Sequence, residues 1–261
     1  MDGIAVRGVV KAAAAANLAG VIRWMRFGVS DALDRLEAAF NAVDPFERRV
    51  SATDRRNLDT LREVPLADIV SSVATVPIDP GHVHRDGALP IGQLIALLAL
   101  ALDRRPRIVL EIGTYFGTTT KALALALPSA TIHTVDLPLD FAPADAASGV
   151  DDHHLIARRN VGVAFRDGPA NIVQHLVDTA SWDFLAAQGA ELVFIDGSHT
   201  YEYVKNDTMR CLEMCAPQAT IVWHDCDRQH PGVVRWLAEM VDRGHPIVRL
   251  AGTPLAVLRR G

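Results

Sequence analysis

From Arg107 onward the chain alternates short β-branched runs with stretches of helical periodicity, and nothing else in the sequence constrains the fold as much. Parallel strands need a crossover of a dozen or more residues, for which a helix is the usual solution, so this alternation reads as successive βαβ units. The runs 108–112, 131–135, 172–177, 192–195, 220–223, 247–250 and 255–258 read as strands. Only Ala251, Gly252, Thr253 and Pro254 separate the last two. That is too short for a crossover, so this pair must form an antiparallel hairpin. The expected fold is α/β: a doubly wound, mainly parallel, seven-stranded sheet that ends in an antiparallel hairpin.

The first part of the chain, to Gly87, reads differently. In 31–43, Leu33, Leu36, Ala39 and Phe40 share one helical face, and 53–61 continues in that style. The alanine-rich run 12–22, preceded by Arg7 and Lys11 and followed by Arg23 and Arg26, is too short to span a bilayer. It reads as an amphipathic helix packed on the protein or on a partner subunit, with docking on a membrane surface as the alternative. Pro77, Pro80, Gly81 and Gly87, interleaved with His82, His84, Arg85 and Asp86, make a polar loop. Pro90 then opens an almost wholly apolar helix, 91–102, which must be buried on all sides. The expected division is 1–87 as a helical region acting as lid, substrate cover or homodimer surface, and 88–261 as the ligand-binding domain.

Composition narrows the function. The 261 residues carry 26 Lys plus Arg against 31 Asp plus Glu, a net charge of −5, which disfavours a protein that coats nucleic-acid phosphates. Small-molecule chemistry is the better expectation. Cys211, Cys215 and Cys226 are odd in number and clustered late in the chain, so they cannot staple the fold, and a reducing cytoplasm suits them. Cys211 and Cys215, four apart with no further ligands at zinc spacing, read as buried core residues.

Five segments carry chemistry. Where the first strand of the alternating part turns into a helix stands Glu111-Ile112-Gly113-Thr114-Tyr115-Phe116-Gly117-Thr118-Thr119-Thr120. Its glycines let backbone approach a ligand, and the helix start offers free N–H groups. The spacing is not G-x-G-x-x-G, and Glu111 would repel a pyrophosphate; an acid there suits a positively charged ligand such as the amino-acid or sulfonium part of S-adenosylmethionine. Asp136, followed by Leu137, ends the second strand, where a carboxylate can accept both hydroxyls of an adenosine ribose. Asp178 and Thr179 follow the third strand at the height of an adenine pocket, although Asp178 also suits a turn or helix cap; Trp182 and Phe184 would flank the base or pack in the core. Asp196-Gly197-Ser198-His199 follows the fourth strand and His224-Asp225 the fifth, so that Asp196, His224 and Asp225 converge. Two carboxylates and an imidazole can hold a divalent ion with positions open for substrate oxygens.

These segments together resemble the class I S-adenosylmethionine-dependent methyltransferases, which have a Rossmann-like fold. Within them the chain is most similar to bacterial macrolide-sugar and rhamnosyl O-methyltransferases, and more distantly to catechol and caffeoyl-CoA O-methyltransferases. The resemblance covers roughly 87–260, including the Gly252-Thr253-Pro254-Leu255-Ala256 hairpin, and leaves the residues before it uncovered. It implies transfer of methyl from S-adenosylmethionine to a hydroxyl of a sugar or secondary metabolite, with no nucleic-acid partner and no membrane insertion. The implied cofactor residues are Glu111, Gly113, Thr114, Tyr115, Gly117, Thr118, Thr119, Asp136, Leu137, Asp178, Thr179 and Asp196. Metal-dependent members bind Mg²⁺ or Mn²⁺ at the positions of Asp196, His224 and Asp225, and the residue at His199 deprotonates the substrate, with Asp196 beside it. The sugar enzymes carry two acids after the fifth strand, whereas this chain has His224 before Asp225. Either His224 is a ligand, favouring a softer ion than Mg²⁺, or Asp227 or water completes the shell.

Competing readings make different demands. An NAD-linked oxidoreductase shares Gly113, Gly117 and Asp136 but has no need of Glu111 or of the Asp196 and Asp225 constellation. A nucleic-acid or protein N-methyltransferase would show an Asn or Asp followed by two prolines and an aromatic where this chain has Asp196-Gly197-Ser198-His199. A cofactor-binding, non-catalytic α/β domain would bind without any activity that depends on His199. A metal-binding hydroxylase relative would need an oxidant and a redox metal.

Overall fold

The computed structural model describes residues 25–28, 52–70, 72–73, 75–79, 88–141, 156 and 160–260. In chain order its elements are β1 (Met25–Gly28), α1 (Ala52–Thr60), β2 (Glu63–Val64), β3 (Thr75–Ile78), α2 (Ile91–Arg104), β4 (Ile108–Ile112), α3 (Thr118–Ala126), β5 (Thr131–Asp136), β6 (Ile172–Leu176), β7 (Leu192–Ile195), α4 (Tyr201–Met214), β8 (Thr220–Trp223), α5 (Pro231–Asp242), β9 (Val248–Leu250) and β10 (Ala256–Arg259). All seven expected strands are present, each within one residue of the expected bounds.

The main sheet has the order β2-β9-β10-β8-β7-β4-β5-β6. Strands β4 to β8 pair in parallel, and β10 runs antiparallel to both β8 and β9. The hairpin follows from the short turn, as expected. An eighth strand was not foreseen: β2 adds to β9 in parallel, with Glu63 opposite Arg249 and the two side chains ion-paired. Two residues are too few to show a period, so only pairing with a strand nearly two hundred residues away makes this segment β. The first part, expected to be helical up to the polar loop, also carries strands, since β1 and β3 form a separate antiparallel pair. In β3, Val76 and Ile78 are buried while Thr75 is exposed, a period-2 pattern that Pro77 disguises as a loop. The expected helix at 31–43, the run 12–22 and the loop residues His82, His84 and Arg85 lie outside the described residues.

Side-chain alternation splits the core into two layers. Val109, Ile132, Phe194, Val222 and Val257 face α2 and α3, whereas Leu110, Val135, Val193, Ile195, Ile221 and Trp223 face α4 and α5. Pro90 fixes the backbone just ahead of α2, whose residues from Gly92 to Ala101 are all buried. A helix apolar on every side needs cover beyond the sheet. It comes from Val64, Leu66, Val70, Val76 and Ile78, which join the same cluster. Among the described residues no helix is long and apolar enough to cross a membrane.

Candidate active site

Strand β4 has β5 on one side and β7 on the other, and chain order reverses direction there. The connections leaving β4 and β7 turn to opposite faces of the sheet, opening a crevice at the strands' carboxyl ends. That crevice is a cavity of about 540 Å³, within the range of small-molecule sites. Its floor depends on Gly113, which has φ +100° and lies so close to the next turn that a Cβ would stand 1.9 Å from the carbonyl oxygen of Asp196. No side chain fits there, and the loops after β4 and β7 can meet only because none is present.

One wall comes from the turn into α3 and the end of β5. Gly113, Thr114, Tyr115, Thr118, Thr119, Asp136 and Leu137 all line the cavity. The Asp136 carboxylate accepts the Tyr115 N–H at 2.7 Å and the Leu137 N–H at 2.8 Å, which fixes it at the cavity edge. Gly117, also expected to bind cofactor, does not line the cavity. It stands just ahead of α3 with φ +79°, and a Cβ there would lie 2.4 Å from the ring of Phe165.

Glu111 too stands outside the lining. By the alternation of β4 it shares the side of Val109, toward α3, and its carboxylate accepts from the Thr120 hydroxyl and, at 2.6 Å, from the Thr134 hydroxyl. Burial pushes it up to about 8, and the hydroxyls that would stabilise its charge offset only part of this. A carboxyl neutral at pH 7 supplies little of the negative charge that its position in the sequence suggested.

The opposite wall carries the titratable cluster. Asp196 follows β7, and His224 and Asp225 follow β8. Adjacent residues in a strand point to opposite faces, but Asp225 has φ +57°, outside the strand conformation, and the turn brings both side chains to one place. His224 Nδ1 lies 2.9 Å from Asp196 Oδ1 and 2.8 Å from Asp225 Oδ2. These three ligand-type atoms lie within 4.8 Å of one another. Nδ1 is buried and makes no hydrogen bond of good geometry with either carboxylate, so the set fits a cation placed among one nitrogen and two oxygens. Burial alone would lower the His224 imidazole, but the two carboxylates outweigh it and push it up to about 10. Burial raises Asp196 despite the neighbouring imidazole. For Asp225 the attraction of His224 and the hydrogen bond from His199 win over burial, and its carboxyl is held well below the usual range.

His199 lines the cavity and its Nε2 lies 2.7 Å from Asp225 Oδ2. Two residues not anticipated join the cluster. His230, just ahead of α5, lies 4.3 Å ring to ring from His199 and 3.5 Å from Asp225 Oδ1 through Nδ1. Gln93, in the first turn of α2, accepts from His224 Nε2 at 2.8 Å. Gln93 left a signal in the sequence, because it is the one polar side chain in the apolar run 91–102. His230 left none.

At the far end of the cavity Thr179 lines the wall and Asp178 does not. Asp178 instead accepts the Ala180 N–H at 2.9 Å in a turn and the Tyr203 hydroxyl at 3.1 Å. Tyr203 and Asp207, on α4, present themselves there in its place. Burial pushes Asp207 up to about 6, against hydrogen bonds from Thr179 and Asn206. Trp182 packs between His175 and Phe184, and Cys211 and Cys215 are buried in the core.

Comparison with known proteins agrees with this arrangement. A family profile described as "Methyltransferase domain" matches residues 110–226. A protein described as "Uncharacterized protein y4gI" from Sinorhizobium fredii is 25% identical over 142 residues, which cover 52% of this chain and 15% of that protein. The chain therefore spans a small part of that relative's length. Among solved structures, the O-methyltransferase NovP superposes with TM-score 0.51 at 13% identity, over 89% of this chain and 99% of that one. The O-methyltransferase TomG from Streptomyces achromogenes gives TM-score 0.47 at 17% identity over all of both chains. At such identities the likeness to NovP speaks for the fold. The matched stretch runs from β4 through the turn after β8 and contributes most of both walls of the cavity, so the part of the chain that builds the site is the part similar to a methyltransferase domain.

Proposed function

We propose that this protein transfers the methyl group of S-adenosylmethionine to a hydroxyl of a small molecule, such as a sugar or secondary metabolite, with a divalent cation and His199 assisting. The observation that carries this reading is that Asp196, His199, His224 and Asp225 converge on one wall of a cavity whose other wall is the Gly113 to Thr119 turn and Asp136.

S-adenosylmethionine would supply an electrophilic methyl on a sulfonium, so the protein's main task is alignment of the attacking oxygen with that carbon. Asp136 brings a carboxylate to the cavity, the acceptor that ribose hydroxyls need, and the N–H groups at the start of α3 suit the cofactor's carboxylate. Thr179, Tyr203 and Asp207 offer the polar contacts that an adenine edge needs. Asp196, His224 and Asp225 would hold the cation, which when bound lowers the pKa of a coordinated hydroxyl. With Nε2–H donated to Asp225, the acceptor nitrogen of neutral His199 is Nδ1, and protonation there gives an imidazolium that Asp225 stabilises. Residues 1–87 are proposed to cover the substrate side or to pair two copies, and residues 88–261 to be the catalytic domain.

The deciding experiment is calorimetric titration with S-adenosylhomocysteine and with NADH, each repeated with Mg²⁺, Mn²⁺ and EDTA, followed by a methyl-transfer screen against hydroxylated acceptors. Binding of S-adenosylhomocysteine without NADH binding is expected. Silence toward S-adenosylhomocysteine in folded protein refutes the cofactor assignment, and uptake of NADH instead revives the oxidoreductase.

A further inference from the structure

Strand alternation puts His224 on the side of Val222, which faces α2, rather than on the side of Ile221 and Trp223, which faces α4 and α5. The α2 residue that meets it is Gln93, the lone polar side chain in a helical stretch otherwise built of Gly, Ala, Leu and Ile, and only 8% exposed. Burying an amide in such a layer is unfavourable unless it is paired. Its pairing is specific: Oε1 lies 2.8 Å from His224 Nε2, across 131 residues of chain. An amide oxygen only accepts, so Nε2 carries the proton. The ring nitrogen left to act as a ligand is then Nδ1, the buried atom with no hydrogen-bond partner that faces Asp196 and Asp225.

We infer that Gln93 is a positioning residue that holds His224 with Nδ1 as a cation ligand, and that the resulting nitrogen-and-oxygen site selects a first-row transition-metal dication over Mg²⁺. The inference rests on the cation part of the proposed function and adds the residue that sets the ligand atom and the class of ion. The physical reason is the preference of imidazole nitrogen for borderline metals, while Mg²⁺ prefers oxygen and retains its water. An outer partner that fixes the ring's orientation commonly accounts for ten- to hundredfold in metal affinity.

The test is titration of the full chain with Co²⁺, followed by calorimetry and by the visible absorption of the bound ion, and separately with Mg²⁺. Wild type, Gln93→Met and Gln93→Glu are compared. Methionine keeps the length and removes the acceptor, whereas glutamate keeps an acceptor at the same reach. Wild type is expected to bind Co²⁺ at least about tenfold more tightly than Mg²⁺. Gln93→Met should weaken Co²⁺ about ten- to hundredfold and erase most of that preference, with Gln93→Glu within a few-fold of wild type. Affinity for S-adenosylhomocysteine, measured on the same samples, reports that each variant is folded. Equal Co²⁺ affinity in wild type and Gln93→Met overturns the inference and leaves the cation reading standing, as does an equal loss in Gln93→Glu and Gln93→Met. Wild-type protein that takes up neither ion overturns the cation reading, and the inference with it.

Discussion

Replacing Glu111 by Gln asks whether a buried carboxyl one residue from the cofactor turn is neutral, and the structure provides a magnitude. Glu111 is 1% exposed, and its oxygen accepts from the hydroxyls of Thr120 and Thr134. Burial nevertheless raises it from an ordinary 4.5 to about 8, because two hydroxyl donors do not replace the water that an ionised carboxylate loses. The unfolded chain releases this proton above pH 4.5, while the folded protein keeps it until about pH 8. The folded state therefore binds more protons across that window, and stability falls as pH rises, by up to about 1.4 kcal/mol per pH unit. Below pH 4.5 the group adds no pH dependence, and above about 8 the loss has levelled off at a total on the order of 5 kcal/mol. Glutamine keeps the shape and an acceptor oxygen for the threonines but cannot ionise. Urea unfolding of both proteins at pH 5, 6, 7, 8 and 9 isolates the contribution, since every other titrating group is common to the two. The stability of Glu111→Gln relative to wild type should rise by at least about 2 kcal/mol from pH 5 to pH 9. A difference flat across that range would mean that Glu111 is ionised in the folded protein and that burial does not dominate. The same variant should bind S-adenosylhomocysteine within a few-fold of wild type, because the carboxyl faces α3 and not the cavity; a loss beyond tenfold would show that it reaches the ligand.

His199→Gln should lower kcat about 10²- to 10⁴-fold, the usual worth of a general base, with S-adenosylhomocysteine affinity nearly unchanged; a parallel loss of binding would assign it a binding role instead. Asp196→Asn should abolish measurable divalent-ion binding by calorimetry, and retention of wild-type affinity would remove it from the ligand set. Gly113→Ala pushes a methyl to 1.9 Å from a backbone carbonyl at a φ of +100°, so thermal unfolding should show a loss of about 3 kcal/mol or more, or failure to fold. Thr208→Val removes the oxygen that accepts the indole N–H of buried Trp223 at 2.9 Å, and should cost about 1–3 kcal/mol in urea unfolding without altering the cavity.

Much of the fold was legible because its central strands β4, β7 and β8 are buried on both faces and separated by helices, which makes each a short apolar run bounded by turn residues. The short connection through Gly252 and Pro254 was enough to require the antiparallel pair. What escaped were elements whose identity depends on distant partners. Glu63 and Val64 are a strand only because β9 lies beside them, and Thr75–Ile78 carries a proline that is tolerated because its partner β1 forms an isolated two-stranded edge. The site was legible to the level of which loops meet, since the ends of parallel strands share one edge. It was less legible for individual side chains. Asp178 and Thr179 are neighbours in a turn, and only the turn's geometry decides that Thr179 faces the cavity while Asp178 caps backbone and meets Tyr203.

The chain alone was enough to give the order of strands and helices from Arg107 onward, the hairpin, the burial of the 91–102 helix and the set of loops from which a site could be built. Local spacing and apolar periodicity act over a few residues and are written in the chain. Tertiary structure decided where individual charges point. Glu111 turns away from the cavity because the pleat assigns it to the side of Val109. Asp225 and His224, which strict alternation would separate, come together through one positive φ, and Gln93 reaches His224 because α2 packs on the face that His224 leaves. Those outcomes depend on which face of the sheet each side chain takes and which helix covers it, and that is settled only when segments more than a hundred residues apart pack together.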